Sequence, residues 1–245
     1  MNSLIKTILV ISIGFNIVLL LITGYFIYQK GGTKYVVNCI GTIVGTQKNI
    51  DQSYYDERVN LFKSIPKTNK SIIFLGDSIT AGCEWNELFP GYNTKNRGIG
   101  SDTTSGILCR LDEVIQAKPD KIFLMVGISD LESGRSVQEI ATNYTKILEK
   151  IIKKTPETRI YIQSILPINN DKYASVFFNN EKIIDCNREL KSLSQKHNLT
   201  YIDLYPLMTS QNGQLRANLT TNGINISGEG YLIWKEAIKN YIEIK

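Results

Sequence analysis

The chain has 245 residues, 42% of them hydrophobic, which suffices for one sizeable core in one domain or at most two. Its net charge of +5 is mild. Lysines that cluster, as in "KILEKIIKK", alternate with apolar residues at helical spacing, which marks a solvated helix face and excludes nucleic acid as an expected partner. A single histidine, His197, rules out a multi-histidine metal centre, and no zinc-finger or phosphate-loop spacing occurs, so neither metal nor other cofactor is expected.

Residues 8–28 form an uncharged, mostly apolar run, roughly 30 Å long as a helix, which is the thickness of a bilayer's hydrocarbon. A secretory signal would have a shorter apolar core and a small-residue cleavage site, and "TGYFIYQKGG" offers no convincing one. A buried core helix is the alternative, but nothing polar marks an outer face. Residues 1–30 are therefore expected to be a membrane anchor, with membrane lipid as its partner. Lys6 lies on one side, Lys30 and Lys34 on the other, a count that leans slightly toward a cytoplasmic C-terminal side. Long domains cross regardless of such charges, and the expectation is a single-pass anchor in the cell membrane with an extracytoplasmic domain.

Residues 31–70 read as a connector. Its glycines end the first helix, and Tyr55, Val59 and Phe62 predict a short helix closed by Pro66. From residue 71 to 245 the pattern is that of one α/β domain. "SIIFLG" (71–76), "KIFLMVG" (121–127), "RIYIQSIL" (159–166) and "TYIDLY" (200–205) are near-continuous apolar runs, as in strands buried on both faces, and "NTKNRGI" is a weaker strand. Between them, apolar stripes on Ile107–Ile115, Ile140–Ile152, Ile183–Leu193 and Trp234–Tyr241 predict helices. This alternation implies a parallel sheet with helices on both faces. Cys39, Cys83, Cys109 and Cys186 have no CxxC pairing and are read as free.

In such sheets, ligands sit beyond the carboxyl ends of the strands. There "GDSITAG" places Ser78 where a helix begins, either as an ordinary N-cap or as an exposed nucleophile at the positive end of a helix dipole. "NRGIGSDTT" offers Gly98, Gly100 and peptide N–H groups near Ser101 and Asp102 that can face a developing oxyanion, and "GISDL" brings Ser129 and Asp130 to the same rim.

"FLGDSIT", "NRGIG-DTT", "GxxDL" and "GEGY", in this order and spacing, resemble the GDSL, or SGNH, hydrolase superfamily over about residues 70–243. The resemblance is to the bacterial branch similar to platelet-activating-factor acetylhydrolase subunits. It implies a three-layer α/β/α, flavodoxin-like fold with a mostly five-stranded parallel sheet. It also implies a serine nucleophile, an oxyanion hole made by a glycine N–H and an asparagine side chain, and an Asp-x-x-His pair. Only Ser78 carries over intact. The oxyanion glycine is Ser101, with Gly100 one place earlier, and the oxyanion asparagine is Ser129. The aspartate and histidine positions are Asn222 and Asn225.

These departures differ in weight. A backbone N–H can donate from Ser101 if its φ/ψ permits, whereas losing one oxyanion donor costs about 10²–10³ in rate. An amide at position 225 has no lone pair basic enough to take the serine proton, and removing a triad base costs on the order of 10⁶ in turnover. His197 is expected at the opposite edge of the sheet. Glu229 and Asp130 are carboxylates that could approach Ser78, though a carboxylate matches a serine proton poorly. The reading is a catalytically silent module that binds a ligand or partner, an acylated lipid or carbohydrate, in the old cleft. The alternatives are a working esterase or acetyl transferase on acyl esters of lipid or cell-envelope carbohydrate, and a scaffold whose cleft is irrelevant.

Overall fold

The structure is a computed structural model that describes residues 12–16, 18, 19, 22, 24, 25, 52–68, 70–175 and 178–243. The chain divides into two compact units, Met1–Gln47 and Lys48–Lys245. In the first, the described residues are helical and exposed. Most of the expected membrane anchor lies outside the described residues, and among those described no helix is long and apolar enough to cross a membrane.

The second unit opens with α1 (Gln52–Ser64), the helix expected in the connector. It buries Phe62 beneath the guanidinium groups of Arg97 and Arg110, 4.6 and 5.9 Å from the ring centre. Tyr55 Oη donates to Gly106 O at 2.8 Å. The strands are β1 (Ile72–Gly76), β2 (Thr94–Gly98), β3 (Lys121–Met125), β4 (Arg159–Gln163) and β5 (Thr200–Ile202). They form one parallel sheet in the order β2-β1-β3-β4-β5. The order reverses direction beside β1, so the end of β1 is the switch point at which such sheets bind ligands.

Alternation along the strands sorts the two faces. Phe74, Phe123 and Tyr161 are register partners and stack across three strands on one face. Trp85, on the short α3 (Trp85–Leu88), lies flat on Phe74, and Trp234 of α8 (Gly228–Glu243) meets Trp85 edge-on at 4.9 Å. Both indoles are almost fully buried, and both N–H groups are satisfied, by Thr80 O and Gln163 Oε1. The opposite face, with Ile73, Leu75, Ile122 and Leu124, is covered by α4 (Thr104–Gln116), α6 (Val137–Lys154) and α7 (Asn180–Lys196), which pack side by side. The result is the three-layer α/β/α arrangement expected from the sequence.

Several strands stop short of their apolar runs. The 121–127 run leaves the ladder at Met125 because Gly127 turns the chain at φ 137°, which only glycine takes without strain. The 159–166 run leaves it at Gln163, after which Ser164 Oγ accepts from Leu204 N and Tyr205 N. Cys83 and Cys186 are free and buried, Cys109 is free and exposed, and Cys39 lies outside the described residues.

Candidate active site

Ser78 begins α2 (Ser78–Ala81), directly after β1, and is half-buried. Asp77 caps this helix, its carboxylate accepting from Ile79 N at 3.0 Å, so the cap role belongs to Asp77 and leaves the Ser78 hydroxyl available. That hydroxyl donates to Asn225 Oδ1 at 3.2 Å. The sheet thus brings together two residues 147 positions apart in the chain.

Asn222 does not bond to the Asn225 side chain. Its Oδ1 accepts from Ile224 N and Asn225 N at 3.2 and 2.9 Å, an Asx turn that fixes the backbone of the loop. Thr220 Oγ1 donates to Asn225 O and accepts from Gly223 N. Gly223, at φ 85°, lies against Tyr173 and Asn169 O so closely that a Cβ there would come within 2.8 Å of each. Asn169 N donates to Gly223 O, completing a frame around the loop that the sequence motifs did not reveal.

Ser101 has φ 59°, the left-handed conformation that a glycine would adopt freely. The serine therefore makes a glycine-like turn at the position expected to carry the oxyanion loop. Gly100, one place earlier, is not among the positive-φ glycines, so the special conformation sits at position 101. Ser129 is buried in the first turn of α5 (Ile128–Glu132), and its hydroxyl makes no hydrogen bond among the described residues.

Neither carboxylate considered as a substitute base bonds to Ser78. Asp130 is fully buried and accepts from Thr104 N and Oγ1 at 2.8 and 2.6 Å, with Arg135 3.5 Å away. Glu229 is exposed and accepts from Asn218 Nδ2 at 2.9 Å. His197 caps the C-terminus of α7 just before β5 begins, whereas Ser78 follows the end of β1. In a parallel sheet those are opposite rims. Phe178 is core, packed near Tyr173, and Phe177 lies outside the described residues. Among the described residues no group of three or more His, Cys, Asp or Glu side chains could hold a metal.

A sequence model of the GDSL-like lipase/acylhydrolase family matches residues 74–233, most of the α/β domain. The chain belongs to that family. The alpha2 subunit of platelet-activating factor acetylhydrolase IB, from Rattus norvegicus and from Homo sapiens, is 28% identical over 167 residues, covering 65% of this chain and 70% of the relative. Among solved structures, a Streptococcus pneumonia protein provisionally described as a platelet activating factor superposes with TM-score 0.73 at 27% identity, covering 86% of this chain and all of that one. A GDSL-like lipase from Bacteroides thetaiotaomicron superposes with TM-score 0.68 at 21% identity, covering 77% of this chain and 97% of its own, a likeness of fold.

The rim of this GDSL-family protein stands on buried charge. Arg110 Nε pairs with Asp102 at 2.8 Å, and its Nη2 donates to Gly76 O and Arg97 O, tying the ends of β1 and β2 to the loop of Ser101. Both partners are almost fully buried, so removing either would strand a charge in the interior. Asp77 has no cation of its own. Burial pushes its carboxyl up to about 7, the negative charges of Asp102 and Asp130 add to this, and the Ile79 amide opposes it. Burial also raises Asp102 and Asp130, against the pull of Arg110 on the first and of the Thr104 hydrogen bonds on the second. The sequence signalled none of this, since an aspartate in a turn reads as a solvated cap.

A carboxyl whose folded-state pKa is raised binds its proton more tightly when folded, so stability falls as pH rises from about 4 to about 7 and then levels. Asp77→Asn keeps the oxygen that accepts from Ile79 N and removes the charge. Urea unfolding should therefore show the variant gaining on the native protein as pH rises through that window, by at most ~1.4 kcal/mol per pH unit. A difference that stays constant with pH would mean that Asp77 ionises freely.

Proposed function

We propose that this GDSL-family protein is a binding module of catalytically impaired hydrolase type, which holds an acyl ester in its cleft without cleaving it. The observation that carries this reading is the hydrogen bond from Ser78 to Asn225. A hydrolytic serine needs a base that takes its proton as the oxygen attacks. The carbonyl oxygen of an amide accepts a hydrogen bond but not a proton near neutral pH, so the hydroxyl keeps its hydrogen.

The remaining groups favour holding a carbonyl. The Ser101 N–H sits in a glycine-like turn, the Ser129 hydroxyl is unengaged among the described residues, and the Asn225 amide offers N–H donors beside Ser78. These are neutral donors suited to an ester oxygen. The shorter arm of Ser129, compared with the asparagine of the family pattern, weakens the hole further for a developing oxyanion. An ester of lipid or of carbohydrate fits the family's chemistry. The charge-free apolar run at residues 8–28 supports tethering of this module to the cell membrane; a domain on the extracytoplasmic side is proposed with it, since long domains cross regardless of flanking lysines.

The impaired reading predicts that the native protein hydrolyses p-nitrophenyl acetate no faster than Ser78→Ala. It further predicts that Asn222→Asp combined with Asn225→His raises Ser78-dependent turnover by at least ~10²-fold, the lower range of general-base catalysis. Native turnover well above the Ser78→Ala control would establish a working esterase instead. For the anchor, the full-length protein should remain with membranes after alkaline carbonate extraction, and removal of residues 1–30 should release it. Release of the intact chain would refute the tether.

A further inference from the structure

The loop of Ser101 is a strained turn that needs holding. Asp102 N donates to Ile99 O at 3.2 Å, which makes residues 99–102 a tight turn with Ser101 in its third place, at φ 59°, where glycine is the usual residue. A residue with a Cβ keeps such a backbone only when its surroundings over-determine it. Part of the hold is local. Ile99 N donates to Gly76 O at 3.2 Å, and Asp102 pairs with Arg110, whose Nη2 reaches the same Gly76 O. Arg110 is thus the pivot of the turn, yet its Nη1 is buried and has no hydrogen-bond partner among the described residues.

We infer that α1 completes this hold, and that Phe62 is a positioning residue which acts through Arg110 and Asp102 to keep the Ser101 N–H set as a carbonyl donor. The family model begins at residue 74, whereas α1 ends at Ser64, so the matched region by itself lacks a working part of the site. The inference rests on the reading of the Ser101 N–H as a donor in the proposed function, and it holds whether Ser78 is inert or active.

α1 meets the loop and its supports along its length. The Phe62 ring lies against the guanidinium groups of Arg110 and Arg97, 5.9 and 4.6 Å from the ring centre, so an aromatic face stands where Arg110 Nη1 has no oxygen to bond. Tyr55 Oη donates to Gly106 O at 2.8 Å, on α4. A Cβ at Gly106 would come within 1.9 Å of Asp102 Oδ1 and 3.4 Å of Tyr55 Cε2, so the bare glycine lets both side chains close in. The Tyr54 ring stands 3.5 Å from where a Cβ on Gly100 would lie, next to the strained residue. Beyond the end of α1, Lys67 Nζ donates to Phe62 O and to Glu113 Oε1, and Glu113 pairs with Arg97. Phe62 is thereby pinned by its backbone as well as by its ring.

Hydrogen–deuterium exchange of the full-length protein in dodecylmaltoside micelles tests the inference. The reporters are the amides of Ile99, Asp102 and Thr103, each of which bonds within the loop or to its supports. Phe62→Leu should speed their exchange roughly tenfold and leave the amides of β4 and α7 within about twofold of native. Tyr55→Phe, which deletes one hydroxyl, should speed the same amides about threefold. Leu61→Ala, on the exposed side of α1, should change none of them. Native exchange at the reporters in both Phe62→Leu and Tyr55→Phe would overturn the role of α1. So would a rise shared evenly by β4 and α7 in both variants, because that marks residues that only stabilise the fold. The two readings fail separately. Ester turnover at Ser78 would remove the impaired reading and leave α1 in its role, whereas native exchange beside an inert Ser78 would do the reverse.

Discussion

The chemistry of this protein turns on one hydrogen bond, from the Ser78 hydroxyl to the amide oxygen of Asn225 at 3.2 Å. In geometry it is the contact a serine hydrolase makes between nucleophile and base. In proton affinity it is the opposite, because the acceptor cannot keep the hydrogen it is offered. Asn222 completes the change: its side chain serves the backbone of its own loop, which needs no imidazole to orient. Of the groups that could have replaced the base, Asp130 is held by Thr104, Glu229 by Asn218, and His197 stands at the other rim of the sheet.

The scaffold beneath that contact is that of a GDSL hydrolase and does not depend on turnover. Arg110 and Asp102 fix the ends of β1 and β2 from below, and the Asn169–Thr220–Gly223 frame fixes the loop opposite. Ser101 keeps a left-handed backbone that costs roughly 1 kcal/mol or more for a residue with a Cβ. On the function proposed above, such a site holds a carbonyl without cleaving its ester.

Much of the fold was legible because strands buried on both faces must be apolar throughout, and β1 and β3 are fully buried along their length. Strand ends were less so. Apolar character reports burial, not ladder bonding, and the chain around Val126–Ile128 and Ser164–Leu166 stays buried after it has left the sheet. Motif spacing grouped Ser78 with Asn225, and the structure joins the two by a hydrogen bond. The left-handed turn at Ser101, the ionisation of Asp77 and the reach of Arg110 were hidden. Each depends on what lies across the core, and a local sequence window carries no trace of it.

The most direct measurement is intact-mass detection of the full-length protein exposed to a fluorophosphonate, an electrophile that captures only a serine able to shed its proton. With an amide in the base position, labelling should proceed no faster than for Ser78→Ala. Rapid, stoichiometric addition at Ser78 would mean that some group in the cleft accepts the proton after all, and the protein would then be a working hydrolase.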